Sequence, residues 1–393
     1  MSKLPIVRLE ELMATRQGSI DPSKFAKETF QLYSIPAFES RTPEVLTGGE
    51  IGSSKQIVQP DDVLLSKIVP HIRRSWIVGP EGEHRQIASG EWIVFRSKRV
   101  VPAYLRRALV CDDFHVQFMK TVSGVGGSLL RARPSQVARI SIPLPTTTEQ
   151  RRIATILDLA DTIRAKRREA LAQLDRLAQA IFVEMFGDPI INPKQWPEDT
   201  HLGEVADIVS GITKGRRMNG GTARSVPYLA VANVQDKRLH LSQVKEIEAT
   251  EGEIERYRLQ RDDLLLTEGG DPDKLGRGTL WQDELPECIH QNHIFRVRLT
   301  ANHIHPVYLN WLVGSARGKR YFLRSAKQTT GIASINMTQL RGFPLLMPPM
   351  ARQKEFAERI AQVAHLKKAH AEMLEQSDRL FASLQHRAFQ GEL

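Results

Sequence analysis

The sequence predicts an α/β (α+β) protein in which two tandem globular domains are each followed by a long helix. Three observations carry this expectation. Between Thr148 and Gly187 apolar residues recur every three or four positions (Ile153, Ile156, Leu157, Ala160, Ile163, then Leu171, Leu174, Leu177, Ile181 and Met185) opposite a face of Arg, Lys, Glu and Gln. The same design returns near the C-terminus at a constant offset of 203 residues, which takes Gln150 to Gln353, Asp175-Arg176-Leu177 to Asp378-Arg379-Leu380 and Phe186 to Phe389. Before each of these stretches lie short strand-like runs broken by Gly, Pro and Asp. A tandem duplication is the expected origin.

Taken in order, residues 1–147 form the first domain. It opens with an amphipathic stretch, VRLEELMATRQG. Strand-like runs follow at Phe30 to Phe38, Val58 to Ser66, Trp76 to Val78, Trp92 to Phe95 and Ile140 to Leu144, with one helical pattern, VPAYLRRALVCDDFHVQF, between them. Residues 148–187 are the first long helix. Neither Pro nor Gly interrupts it from Thr148 to Phe186, so at ~1.5 Å per residue it extends roughly 55 Å and needs a partner. Pro189, Pro193 and Pro197 make 188–201 an extended, semi-rigid connector.

The second domain, 202–350, repeats the plan of the first, and residues 351–390 are the second long helix. The run Val58 to Ser66 parallels Leu259 to Thr267, PVYLNWLVGS parallels VPAYLRRALV, Tyr33 parallels Tyr228, and Gly124 parallels Gly331. The apolar stripe is shared too: Ile163 corresponds to Leu366, and Leu177 to Leu380. Elsewhere the globular parts diverge while the helices keep strict register. That contrast suggests a fixed ruler joining two readers of different targets.

Composition narrows the class. At 393 residues, with 41% hydrophobic and 25% charged residues, the chain is ordinary globular protein of two or three domains. No signal-peptide core or membrane span is visible, so a cytoplasmic location is expected. Cys111 and Cys288 read as free, buried or semi-buried thiols in a reducing compartment. The net charge of +10 and a pI near 9.6 favour contact with polyanions without identifying them.

The chemistry points to binding rather than catalysis. An adenine methyltransferase needs an Asn/Asp-Pro-Pro-Tyr/Phe motif and a Gly-rich cofactor loop; Pro348-Pro349 sits between Met347 and Met350 instead. A metal-dependent nuclease needs acids beside a lysine, and Leu65 and Ser66 supply none before Lys67. Asp61-Asp62 and Asp262-Asp263 read as turn residues. Cys288, His290, His293, His303 and His305 lack the spacing of a structural zinc site, so no metal is assigned. The glycines from Gly269 to Gly278 lack the sequel of a nucleotide-binding loop.

If the polyanion is DNA, phosphate binding needs Lys or Arg, and base reading needs these or Asn, Gln, Ser and Thr. On glycine-punctuated loops the candidates in the second domain are Lys214, Arg216, Arg217, Asn219 and Arg224, then Lys274, Arg277, Lys327, Gln328 and Thr329. In the first domain they are Ser53, Ser54, Lys55, Lys67, Arg73, Arg74, Ser123, Arg131 and Arg133. Helix charges such as Arg164 to Arg168 read mainly as a solvated face that also meets partners, the alternative being a track along the DNA backbone. A self-contained DNA-modifying or DNA-cleaving enzyme and a coiled-coil adaptor without sequence preference are the rival classes.

Several motifs resemble one family, the specificity subunits of type I restriction–modification systems. They are Pro143, Pro145 and Glu149 to Ile153, the echo Pro348-Pro349 before Arg352-Gln353, the Phe186 to Trp196 connector (F-G-D-P-x-x-N-P-x-x-W), Gly211 to Gly215, and the terminal Phe389 to Leu393. The resemblance covers nearly the whole chain. It implies two target-recognition domains, each reading half of a bipartite asymmetric site in double-stranded DNA, and two helices packed antiparallel as a coiled-coil spacer with pseudo-twofold symmetry. It further implies two modification subunits that bind S-adenosylmethionine and methylate adenine at N6, and restriction subunits that use ATP with Mg. The chain itself is then non-catalytic and binds no cofactor. One departure is the loop at Lys67 to Arg74, which has no glycine where the second domain has TEGGDPDKLGRG.

Overall fold

The computed structural model describes residues 4–15, 18–124, 130–217, 222–271, 274–329 and 332–393. It is a mixed α/β structure whose contacts divide into two compact units, Met1–Glu169 with His370–Leu393, and Ala170–Ala369. Two long helices, Thr147–Phe186 and Met350–Gln390, each contribute one part to each unit. No helix among the described residues is long and apolar enough to cross a membrane.

In unit one the central strand Val63–Ser66 is fully buried and lies between antiparallel Ser75–Ile77 and Trp92–Phe95. A second sheet holds Thr29–Tyr33 between antiparallel Glu44–Thr47 and parallel Arg85–Ala88. Unit two has the same plan. Leu264–Thr267 lies between Gly278–Leu280 and Ile294–Leu299, and Ala223–Leu229 between antiparallel Lys245–Thr250 and parallel Ile289–His290. Tyr33 and Tyr228, matched in sequence, both sit on the parallel ladder, opposite Ala88 and Ile289.

The turn entering each central strand is built identically. Asp61 and Asp262 adopt φ 68°, a left-handed conformation that aspartate tolerates. The next carboxylate, Asp62 or Asp263, accepts from the backbone amide three residues back, Gln59 at 2.9 Å or Gln260 at 2.7 Å. Each is also gripped by both arms of an arginine on the neighbouring chain segment: Arg96 at 2.7 and 2.6 Å, Arg298 at 2.7 Å twice. The turn reading was therefore right but incomplete, since these aspartates are also buried ion-pair anchors.

Local expectations are corrected in four places. The strand expected over Phe30 to Phe38 ends at Tyr33, because Pro36 opens a 3-10 turn, Pro36–Phe38. Of the run Val58 to Ser66 only Val63–Ser66 is strand, the preceding residues forming the aspartate turn. The single helical pattern after Val101 is two helices, Pro102–Ala108 and Asp112–Met119; Cys111 is extended, and Asp112 and Asp113 favour a fresh N-terminus there. The opening amphipathic stretch is a strand, Ile6–Arg8, paired with Ser141–Pro143, and a 3-10 turn, Leu9–Glu11.

The connector after the first long helix is also not extended. Asn192 and Gln195 have φ 50° and 54°, turning the chain back on itself. Lys194 Nζ donates to the carbonyls of Glu184 and Met185 at 2.8 and 2.9 Å, and Trp196 Nε1 donates to that of Phe186 at 2.9 Å. These donors satisfy carbonyls that every helix C-terminus leaves open, so the motif is a helix cap. Gly187 makes the exit at φ 82°, and Gly391 does the same after the second helix at φ 78°.

Each unit's largest core is closed by the long helices. In unit one, Ile153 and Leu157 from the first helix and Phe389 from the second pack with Tyr104, Leu105 and Leu109. In unit two, Phe182 and Phe186 from the first helix and Phe356 from the second pack with Tyr308, Leu309 and Leu312. Burying one such aromatic contributes on the order of 2–3 kcal/mol, so the helix ends are integral to both cores. Both units use the start of one helix and the end of the other, so the helices pair antiparallel in each.

Away from these cores the apolar stripe is not a buried seam. Ile163 is 42% exposed and its counterpart Leu366 48%; Leu177 is 46% exposed and its counterpart Leu380 57%. Ion pairs join the helices there instead. In unit one Arg164 Nε lies 2.5 Å and Arg168 Nη2 3.0 Å from Asp378. In unit two Lys367 pairs with Asp175, the same pair carried over by the duplication. Arg164 is thus a bridge between helices and not part of a solvated face.

Candidate nucleic-acid interface

Each unit places a hairpin beside the loop that leaves its central strand. In unit one the hairpin stem is Val122–Ser123 with Arg131–Ala132, and Ile68 bridges to Arg131. In unit two the stem is Lys327–Thr329 with Ile332–Ser334, and Gly269–Gly270 joins its edge. The glycine-rich loop and the glycine-free loop, though different in sequence, therefore reach the same place in the fold. Gly269 is required there: a Cβ on it would come within 2.9 Å of the Ala333 carbonyl.

Of the unit-one candidates, one group is brought together. Lys67 lies 3.9 Å and Arg131 3.3 Å from Glu91, and Arg133 Nε donates to Ser123 Oγ at 2.9 Å. Ser53 and Ser54 are exposed on a loop where Lys55 Nζ donates to the Ser53 carbonyl and hydroxyl at 2.8 and 2.6 Å; partial burial lowers the Lys55 pKa. Arg73 and Arg74 lie elsewhere. Arg73 pairs with Asp112 at 2.5 Å and donates to the Val110 carbonyl at 3.1 Å, at the start of the Asp112–Met119 helix, and Arg74 pairs with Glu39 at 3.1 Å.

In unit two, acids claim the strongest candidates. Arg216 binds Glu253 through two 2.6 Å hydrogen bonds and reaches the Glu248 carbonyl at 3.0 Å. The Arg216 guanidinium in turn holds the Glu253 carboxyl down at about 2. Arg224 bridges Glu251 at 2.5 Å and Glu287 at 2.6 Å. Lys274 pairs with Asp271, and Arg277 donates to Gln235 Oε1 at 3.2 Å. Lys214 and Arg217 are exposed and have no ion pair among the described residues. Asn219 lies outside the described residues, as do the side chains of Lys327, Gln328 and Thr329, whose backbone forms the hairpin strand.

Sequence reasoning missed the acidic partners, because Glu91, Glu253 and Glu287 come from distant segments. The pairing of Thr250 with Glu253 as a helix capping box was the one local signal available. Cys111 and Cys288 are free and buried, their thiols pushed up by burial to about 11 and about 12. His290 is buried and His293 pairs with Glu268 at 2.6 Å; no group of three or more potential metal ligands occurs among the described residues.

No family model matches the chain. It is 25% identical over 289 residues to the type I restriction enzyme StySPI specificity subunit of Salmonella potsdam, covering 68% of this chain and 61% of that protein. It is 24% identical over the same length, with the same coverage, to the EcoKI specificity subunit of Escherichia coli K12. The chain thus matches under two thirds of the length of either relative. A solved chain from work on complex assembly and conformational transition of the type I restriction–modification system superimposes with a TM-score of 0.62 at 21% identity, over all of both chains. The α/β plan with two hairpin-bearing units and paired long helices is the fold of that solved chain. In sequence the chain is similar to type I restriction enzyme specificity subunits.

Proposed function

We propose that this chain is the DNA sequence-specificity subunit of a type I restriction–modification complex, recognising a bipartite asymmetric site in double-stranded DNA. The observation that carries the reading is the duplicated attachment of each unit to matched long helices, in a chain similar in sequence to specificity subunits. Two similar units on helices of fixed register suit two half-sites at fixed spacing. Basic residues beside each hairpin, Lys67 and Arg131 in unit one, whose contacts to Glu91 are loose at 3.9 and 3.3 Å, and Arg277 in unit two, supply phosphate contacts, and the hairpin and loop polar residues supply base-edge contacts. Because Glu253 and Glu287 occupy Arg216 and Arg224, the exposed Lys214 and Arg217 are the better DNA ligands on that loop.

The chain acts by binding and is not itself an enzyme. Two modification subunits, methylating adenine at N6 with S-adenosylmethionine, dock on it, and restriction subunits using ATP with Mg join them; this chain holds no cofactor. The paired exposed positions Ile163 with Leu366 and Leu177 with Leu380 support two matched docking faces. The complex works in the cytoplasm on DNA. Methylome sequencing of cells carrying this gene with a modification-subunit gene tests the reading. The expected result is one split motif methylated at adenine in both halves, lost on deletion of this gene; methylation unchanged by the deletion overturns it.

A further inference from the structure

We propose that unit one carries a binding site for a phosphate group, in a cleft of about 410 Å3 lined by Phe38, Arg41, Ser75, Arg106, Arg164 and Phe381 among others. The proposal stands independently of the DNA reading. Three observations define the site. The Arg41 guanidinium lies 3.7 Å above the Phe38 ring, and its side chain has no ion pair or hydrogen bond among the described residues. The residue is exposed overall, and partial burial of its head group, then repulsion from Arg106, lowers its pKa. Arg41 also holds φ 57°, a conformation costly for a residue with a Cβ and characteristic of places where backbone strain serves a site.

The second observation is Ser75. It is 3% exposed, it lines the cleft, and its hydroxyl has no hydrogen-bond partner. A buried hydroxyl left unpaired costs free energy that a ligand oxygen would recover. Third, charge around the cleft is unbalanced. Arg73, Arg106, Arg107, Arg164 and Arg168 are answered by Asp112, Asp158, Asp161 and Asp378, with Asp158, Asp161 and Asp378 each shared between two arginines. Arg41 has no share in any of these pairs.

The duplication provides an internal comparison. In unit two the same corner is a cleft of about 540 Å3, where Asn310 and Trp311 stand for Arg106 and Arg107 and Lys367 for Arg164, and where the strand register puts Gly278 in the place of Ser75. Lys237 Nζ lies over the Trp311 ring at 4.7 Å there and pairs with Asp236 at 3.0 Å. One framework is thus closed in two ways, and folding does not demand the arginines of unit one. A guanidinium fork with a hydroxyl donor suits the several oxygens of a phosphate better than the two of a carboxylate. The phosphate is either one of a DNA backbone or a free phosphate compound.

The test is calorimetric titration of the full chain with inorganic phosphate and pyrophosphate at low salt, using Arg41→Gly, which keeps the backbone conformation, Ser75→Ala, and Lys237→Ala as the unit-two control. The expected result is saturable binding that falls about tenfold or more in each unit-one variant and is unchanged in the control. Absence of saturable binding, or equal binding in wild type and both unit-one variants, overturns the site. Duplex DNA distinguishes the source. If DNA displaces phosphate and Arg41→Gly lowers the salt slope of DNA binding by about one, the ligand is a backbone phosphate. If phosphate and DNA bind together and that slope is unchanged, it is a free phosphate compound. Circular dichroism of each variant separates loss of the site from loss of the fold.

Discussion

Gln353 Oε1 accepts a hydrogen bond from the backbone amide of His305 at 2.8 Å, and its amide nitrogen donates to the carbonyls of Pro348 at 2.8 Å and His303 at 3.2 Å. Gln150 repeats the arrangement, accepting from Val101 at 2.7 Å and donating to Pro145 at 2.8 Å and Arg99 at 3.3 Å. The two side chains are 0% and 1% exposed. Each glutamine therefore fixes the first turn of a long helix to the segment leading into the helix after the sheet.

Replacing either glutamine by leucine leaves one amide and two carbonyls buried without partners. The expected loss is about 2–3 kcal/mol in the unit concerned, from the desolvation of orphaned backbone groups. Urea denaturation followed by fluorescence of Trp76 and Trp92 for unit one, or Trp281 and Trp311 for unit two, measures it. Wild-type stability in Gln353→Leu would show that the side chain is not the joint described.

The Asp62–Arg96 and Asp263–Arg298 pairs set up a sharper asymmetry. Both carboxylates are 1% exposed, whereas their arginines are partly in solvent. Removing Arg96 strands a buried charge and should cost about 3–5 kcal/mol, while the double change Arg96→Ala with Asp62→Asn should recover part of that loss. A double-mutant cycle by chemical denaturation checks both statements. An additive cycle would mean the pair contributes no coupling.

What could be read from the sequence follows physical range. The helices were legible because their periodicity is local and uninterrupted, and the duplication because Gln150, Asp175 and Phe186 keep one offset. The apolar stripe was legible at its two ends, where Ile153, Leu157, Ile181 and Met185 are buried, but period alone cannot tell a seam from an open face, and Ile163 and Leu177 in its middle are exposed while Arg164 bridges the helices. The connector was misread because prolines suggest extension, whereas the positive φ of Asn192 and Gln195 and the reach of Lys194 to the helix end depend on packing. Candidate arginines were found by type and loop position, but their acids lie 27–63 residues away for Arg224 and 37 for Arg216, beyond any pattern in one sequence.

Acid should weaken unit two in a defined window. Burial pushes the His290 imidazole down to about 4, while the unfolded chain protonates it near the ordinary histidine value of 6.5. The unfolded state therefore binds more protons between these values, so stability present above pH 6.5 is lost progressively toward pH 4, by up to about 3 kcal/mol. Glu253 acts in the same direction lower down, between 4.5 and about 2. His290→Gln should flatten the pH 6.5–4 limb of a denaturation-versus-pH curve; an unchanged limb would assign it to other groups.

The loop at Lys214 to Arg217 offers the most direct check of the DNA reading, because two adjacent arginines there have different surroundings. Arg216 is held by Glu253 through two short hydrogen bonds, and Arg217 is exposed. If the loop meets the DNA backbone, Arg217→Ala should lower affinity across sequences and reduce the salt slope by about one. Arg216→Ala should instead release the Glu253 carboxylate from its pair and lower the stability of unit two, raising the Glu253 pKa from about 2 toward its ordinary value. Binding of the assembled modification complex to its methylated motif over a salt series, beside carboxylate titration by NMR, separates the two effects. An Arg217→Ala complex with the wild-type salt slope would remove this loop from the interface, whatever the stability of Arg216→Ala.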